Sequence, residues 1–166
     1  MTTEELEVRM FAQIGRAVIA CQFYEFLFLQ VVNQVFRQPM PSSIADVDPL
    51  DHTSFRVATT ALLNELKKRV SVDSSFEDRL RSLVDSRHVL IHRWFIQHGA
   101  PTTPEEIERL TILANTVVRD ATEMAAVLSR YTIEWGKKIP ETRATFEALD
   151  SQFESVLKSL GSKLSI

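Results

Sequence analysis

The stretch FEDRLRSLVDSRHVLIHRWF, residues 76–95, decides the fold class of this chain of 166 residues. Its apolar residues recur every three or four positions, the spacing that places them along one face of an α-helix. The residues on that face are Phe76, Leu80, Leu83, Leu90, Ile91 and Trp94. The pattern predicts one long helix from about Ser75 to His98, ended by Gly99, whose apolar face packs against other helices.

Four further helices are predicted around this stretch, because Gly and Pro are rare and several long segments hold neither. We expect these helices at about Thr3–Arg37, Ser54–Val70, Pro104–Trp135 and Glu141–Lys163, with Thr2 or Thr3 capping the first and Thr103 capping the fourth. Residues 38–53 are predicted to be irregular, either as a lid or substrate-contacting segment or as a plain spacer. No strand-like alternation or internal repeat interrupts this pattern. The sequence therefore predicts a single all-α domain over residues 1–166, a bundle of four to five helices.

Composition and charge limit the classes of function. The net charge of −3 and the pI of about 5.8 give no overall basic footprint for nucleic acid. The single Cys21 excludes an intramolecular disulfide and suits a reducing cytoplasm. The first ten residues are too acidic for a secretory signal, and residues 17–36 are too polar for a clean membrane span. We therefore expect a cytoplasmic protein without a membrane partner.

Arg87 is the first unusual residue of the long helix. On a helical wheel at about 100° per residue, it lies within roughly 60° of the residues of the apolar face. A guanidinium keeps its proton in apolar surroundings, so it needs a carboxylate, a backbone carbonyl, an anion or water beside it. We expect Glu25, in the equally apolar first helix, to be the internal partner.

His92 is the second unusual residue, and it points to a second buried face. It lies about 140° from Arg87 on an α-helical wheel, on a flank shared with Asp85, Val89 and Ile96. That flank is also largely apolar, whereas a single bundle core needs only one apolar stripe. The second stripe predicts another protein surface over this helix, and we expect a second copy of the chain, in a homodimer.

The segment RHVLIH, Arg87–His92, fits the R-[N/D/H]-x-x-x-H pattern of the HEPN superfamily, small all-α domains found in many prokaryotic proteins. Residues 76–95 also resemble the usual context of that motif: a charged helix start, an arginine followed by a polar residue, then the histidine and an aromatic pair. The resemblance covers residues 1–135 and leaves the last helix, residues 136–166, at the margin of the family core.

The resemblance implies a metal-independent endoribonuclease that needs no cofactor and whose composite site lies between the two chains of a dimer. Histidine titrates near neutrality and suits proton transfer, and arginine binds phosphate oxygens through several donors. By this resemblance His92 is the acid or base, Arg87 binds phosphate and His88 orients them, with Glu25 and Asp85 in support. RNA is the implied substrate. The expected setting is a toxin or defence system in which an antitoxin or a nucleotidyltransferase partner restrains the enzyme.

A metal site is one alternative interpretation of the same helix. Asp85, His88 and His92 are spaced so that three potential ligands follow one ridge. Such a set could hold zinc or iron with His52 or His98 as a fourth ligand. We expect no metal, since D-x-x-H-x-x-x-H is a weak signature by itself.

A purely structural role is the other alternative. The arginine and the histidines could satisfy one another and Glu25 in a buried polar network. Many HEPN-like domains have non-catalytic roles, so the alternative function is a dimeric module that binds a nucleotide or a protein partner.

Overall fold

The computed structural model describes residues 2–36, 42–47 and 58–161 of the chain, and within these ranges it contains helices and no strand. The helices are α1 (Thr3–Gln30), α2 (Thr59–Arg69), α3 (Ser74–His88), α4 (Trp94–His98), α5 (Pro104–Gly136) and α6 (Arg143–Gly161). A π-helical turn, Val31–Val35, prolongs α1, and a second one, Val89–Arg93, joins α3 to α4 in one continuous rod. The predicted all-α bundle is confirmed.

The starts of the two longest helices follow the predicted capping chemistry. The Thr2 hydroxyl accepts the backbone N–H of Glu5, and the Glu5 carboxylate accepts the backbone N–H of Thr2. Thr103 and Glu106 form the same reciprocal pair at the start of α5, where Pro104 occupies the first helical position. Each pair satisfies N–H groups that a helix start leaves without an intrahelical partner.

One predicted boundary is wrong. Helix α2 begins at Thr59, later than the predicted Ser54, since Ala58 before it is extended. Helix α3 begins at Ser74, one residue from the predicted start. The cap of α3 is Asp73, whose carboxylate accepts the backbone N–H groups of Ser75 and Phe76. Residues 37–41 and 48–57, which hold most of the predicted irregular segment, lie outside the described residues.

Helices α1 and α5 form the most extensive helix pair, and they run parallel. Their first turns meet at a cavity lined by Leu6 and Pro104, and their far ends meet where the rings of Phe36 and Tyr131 lie 5.8 Å apart. Small side chains line much of the contact and bring the two backbones close together. These residues, all fully buried, include Ala17, Ala20, Ala114, Ala121 and Ala125.

The rod formed by α3 and α4 runs antiparallel to α5. Arg79 pairs with Glu123 at 2.8 Å near one end, and Trp94 lies beside Arg109 near the other. Gly99 ends the rod with a positive φ of 74°, a conformation that favours glycine, as the sequence predicts.

Helix α6 folds back against the end of α5. The Thr142 hydroxyl donates a hydrogen bond of 2.8 Å to the Gly136 carbonyl, and the rings of Trp135 and Phe146 meet edge to face at 6.4 Å. Gly136 permits this contact because its Cα lies directly against the Phe146 ring.

Among the described residues one helix, Thr3–Val35, is long and apolar enough to cross a membrane by length and composition alone. Its most apolar window has a mean hydropathy of 1.3, and 44% of that window is buried inside the protein. The core helix of a soluble protein meets the same criterion, so this feature is weak evidence for a membrane.

Substitution of Gly136 tests the packing of α6, and substitution of Gly15 on α1 is the control. We expect the two to change the free energy of unfolding in opposite directions. Gly136→Ala places a methyl group inside the volume of the Phe146 ring, so we expect a loss of about 1–3 kcal/mol in the free energy of unfolding. Gly15→Ala meets no atom within 4 Å at an exposed position of α1, so we expect a gain of about 0.5–1 kcal/mol. Urea denaturation of both variants measures the two changes, and equal effects would contradict the proposed close contact.

Candidate functional site

The candidate site starts at an ion pair between α3 and α1. Arg87 lies on the last turn of α3, and its Nε is 3.3 Å from Oε1 of Glu25 on α1. The two side chains are 35% and 30% exposed, so the pair lies at the edge of the core and not inside it. The structure thus brings Arg87 and Glu25 together, and water reaches both.

Buried groups on α1 adjoin this pair. Burial raises the pKa of the Cys21 thiol to about 12, while the charges of Arg87 and Glu25 act on it in opposite directions. Burial raises the pKa of the Tyr24 hydroxyl above its usual range, and the charge of Glu25 raises it further. Both groups therefore stay protonated at neutral pH and offer no nucleophile. Burial also raises the pKa of the Glu25 carboxyl, and Arg87 opposes that shift.

The π-helical turn changes the relation between Arg87 and His92. Within it the Trp94 N–H donates to the Val89 carbonyl, five residues back, where an α-helix bonds four residues back. Arg87 lies before this turn on α3 and His92 lies within it, so the wider turn alters the angle between them. The predicted angle of about 140° between Arg87 and His92 assumed a regular α-helix, so it does not apply here. Turns of this kind occur often at functional sites.

His88 and His92 form an exposed pair of imidazoles beside this turn. Their ring centroids are 5.2 Å apart with the ring planes tilted by 48°, and both side chains are exposed. Within residues 2–36, 42–47 and 58–161 we find no hydrogen bond to either ring. The alternative of a buried polar network therefore does not extend to the histidines in the single chain, where both rings are open to solvent.

The metal alternative finds no support in the described part of the chain. Within it, no group of three or more His, Cys, Asp and Glu side chains is arranged to hold a metal ion, and this includes the ridge of Asp85, His88 and His92. Asp85 is exposed, and His98 stacks on Trp94 with ring centroids 4.6 Å apart. His52 lies outside the described residues.

Large apolar side chains continue this exposed surface beyond His92. Phe95 is 52% exposed and Ile96 is 84% exposed, although both follow directly on the buried Trp94. Of the apolar residues predicted for the second stripe, Ile96 is exposed in the single chain and Val89 is half-buried. Exposed apolar residues in such a cluster are typical of a surface that another protein covers.

Comparison of the chain with protein-family models, with curated proteins and with solved structures gave no match.

The Glu25 carboxyl predicts a pH-dependent difference between the wild type and Glu25→Gln. A carboxyl whose pKa is raised by folding favours the folded state at low pH, and that contribution is lost as pH rises through the folded pKa. The stability of the wild type relative to Glu25→Gln should therefore fall as pH rises from about 4 toward neutrality. Urea denaturation across this range measures the difference. A relative stability that rises with pH would mean that attraction to Arg87 outweighs burial.

Proposed function

We propose that this protein is a metal-independent endoribonuclease of the HEPN type. The observation that carries the proposal is the exposed imidazole pair of His88, which follows Arg87 at the end of α3, and His92, which lies in the π turn. Imidazole is the side chain most often used for proton transfer, guanidinium is a permanent cation, and solvent reaches all three side chains. We expect this activity in the cytoplasm, with RNA as the substrate.

In the proposed reaction only the site residues and the RNA itself take part. The 2′-oxygen forms a bond to the adjacent phosphorus, and the bond from phosphorus to the 5′-oxygen breaks. The products are a 2′,3′-cyclic phosphate and a free 5′-hydroxyl. His92 takes the proton of the 2′-hydroxyl and delivers it to the leaving 5′-oxygen, and His88 positions the His92 ring. Arg87 is exposed enough to exchange part of its contact with Glu25 for the charged phosphate oxygens.

A homodimer completes the proposed site. The exposed apolar residues next to His92 fit the surface of a second copy, which would bring a second set of Arg87, His88 and His92 to the same RNA. We propose that an antitoxin or a nucleotidyltransferase partner restrains this dimer, in a toxin or defence system.

One observation favours a second candidate function, a non-catalytic dimeric module that binds a nucleotide or a protein. Glu25 already offsets the charge of Arg87, which lowers the attraction of the site for phosphate. The same dimer surface would then serve binding alone.

Substitution of His92 separates catalysis from binding. His92→Ala should lower the rate of RNA cleavage by about 10²–10⁴-fold, the usual contribution of a general acid or base. The side chain is exposed, so the melting temperature should not change. Cleavage of labelled RNA, with and without a chelator, measures the effect, and we expect the chelator to make no difference. An inert wild type, or loss of its activity in chelator, would overturn the proposal.

Substitution of Arg87 tests the phosphate contact with its charge retained. Arg87→Lys keeps the positive charge and loses the bidentate fork, so cleavage should slow while the fold holds. Arg130→Lys, an exposed arginine on α5, is the matched control and should leave the rate unchanged.

The dimer surface is tested by a charge at Ile96. Ile96→Asp costs the single chain little because the side chain is 84% exposed, but it would place a carboxylate in the proposed interface. We expect light scattering at micromolar concentration to show a dimer for the wild type and a monomer for the variant. Ile112→Asp, at an exposed apolar residue of α5, should remain dimeric. A monomeric wild type would remove the composite site.

A further inference from the structure

A separate cavity of about 290 Å³ lies where the end of the α3–α4 rod meets the start of α5. Small-molecule sites begin at about 300 Å³, so this one suits a small ligand and not a large cofactor. Its walls come from both elements. They are Trp94, Gln97 and His98 on the rod, and Pro101, Glu106 and Arg109 at and before the start of α5.

Several polar side chains in the walls of this cavity can donate hydrogen bonds, and we find no protein acceptor for them among the described residues. Arg109 is exposed, and no ion pair to it is found within the described ranges. The indole nitrogen of Trp94 is buried without a hydrogen-bond partner, in a residue that is only 8% exposed. The nitrogen has almost no accessible surface, so it lies behind the wall of the cavity and is a probe of that wall, not a ligand-binding group. Gln97 and His98 add an amide and an imidazole to the same walls.

The acidic group of the cavity is already engaged. Oε2 of Glu106 accepts the backbone N–H groups of Thr102 and Thr103, at 2.9 and 3.1 Å, as part of the cap of α5. These bonds hold the pKa of Glu106 below its usual range, so it stays ionised. These bonds use Oε2, and no bond to Oε1 is found within the described residues. The positive charge of Arg109 in the same walls offsets that of the carboxylate, and the imidazole of His98 and the amide of Gln97 complete the polar groups.

We propose that this cavity is a binding site for a phosphate group, held by Arg109 and His98 with the Gln97 amide in support. A phosphate is small enough for the volume and offers acceptors on every side. Its charge suits the guanidinium, which binds phosphate oxygens in pairs. The ligand is inorganic phosphate or a small phosphate ester such as a nucleoside monophosphate. The site is distinct from Arg87 and His92, and its existence does not depend on RNA cleavage.

Nuclear magnetic resonance of the two indole N–H groups gives a direct test. Trp94 lines the cavity, and Trp135, also buried without a hydrogen-bond partner, lies at the other end of α5 and serves as an internal control. Inorganic phosphate and adenosine 5′-monophosphate should shift the Trp94 signal saturably and leave the Trp135 signal unchanged. Adenosine, which lacks the phosphate, should shift neither. Trp94→Phe assigns the two signals.

Variants at Arg109 decide whether the cavity itself binds. Arg109→Gln should weaken binding at least about tenfold, since charge-assisted hydrogen bonds are the stronger ones. Arg130→Gln makes the same change in net charge at an exposed position near the other end of α5 and should have no effect. His98→Gln provides a second variant if Arg109→Gln does not fold.

The outcomes distinguish the possible ligands, and they distinguish the phosphate site from the proposed ribonuclease site. Tighter binding of the nucleotide than of phosphate identifies an organic phosphate as the ligand, and equal binding identifies free phosphate. The absence of a saturable shift with both ligands, equal binding of adenosine, or an unchanged affinity in Arg109→Gln and His98→Gln would overturn the site. His92→Ala should bind phosphate as the wild type does, so a failure of the ribonuclease proposal leaves this result independent.

Discussion

The close parallel packing of α1 and α5 determines where every other element of this protein can lie. Both helices carry small residues along the contact, with Ala17 and Ala20 on one and Ala114, Ala121 and Ala125 on the other, all fully buried. Small side chains let the two backbones approach, so the pair forms a compact base with little room between its helices. The α3–α4 rod and α2 must therefore lie on the outside of this pair. The rod approaches α5 more closely than it approaches α1.

The seam between the rod and α1 is closed by long side chains, and this explains why it tolerates charge. Phe28 and Phe76 meet there with ring centroids 6.5 Å apart, and Arg87 reaches Glu25 further along. A half-exposed pair keeps part of its hydration, so it escapes most of the desolvation penalty of a buried one. The apolar helix can therefore keep an arginine. The charge becomes available at the surface of the bundle, beside the exposed histidines.

The parts of this structure that the sequence predicts are those set by local chemistry. The caps at Thr2 and Thr103 and the end at Gly99 depend on a few adjacent residues, and all three are present. The π turn at Val89–Arg93 was not predicted, because a helical wheel assumes a constant rise and rotation. The cavity at Arg109 was not predicted either, since it joins residues from two elements and carries no motif. His92 was expected on a flank covered by a second copy, and in the single chain its side chain is exposed.

The π turn also changes which observation supports the proposed dimer. If the helix were regular, Arg87 and His92 would diverge by about 140°, and each would need a partner group from another chain. The π turn begins between the two residues and changes that angle. The case for a second chain therefore rests on the exposed Phe95 and Ile96 and not on the angle. A dimer through that surface would shield the imidazoles from bulk water, which strengthens their interaction with a charged phosphate.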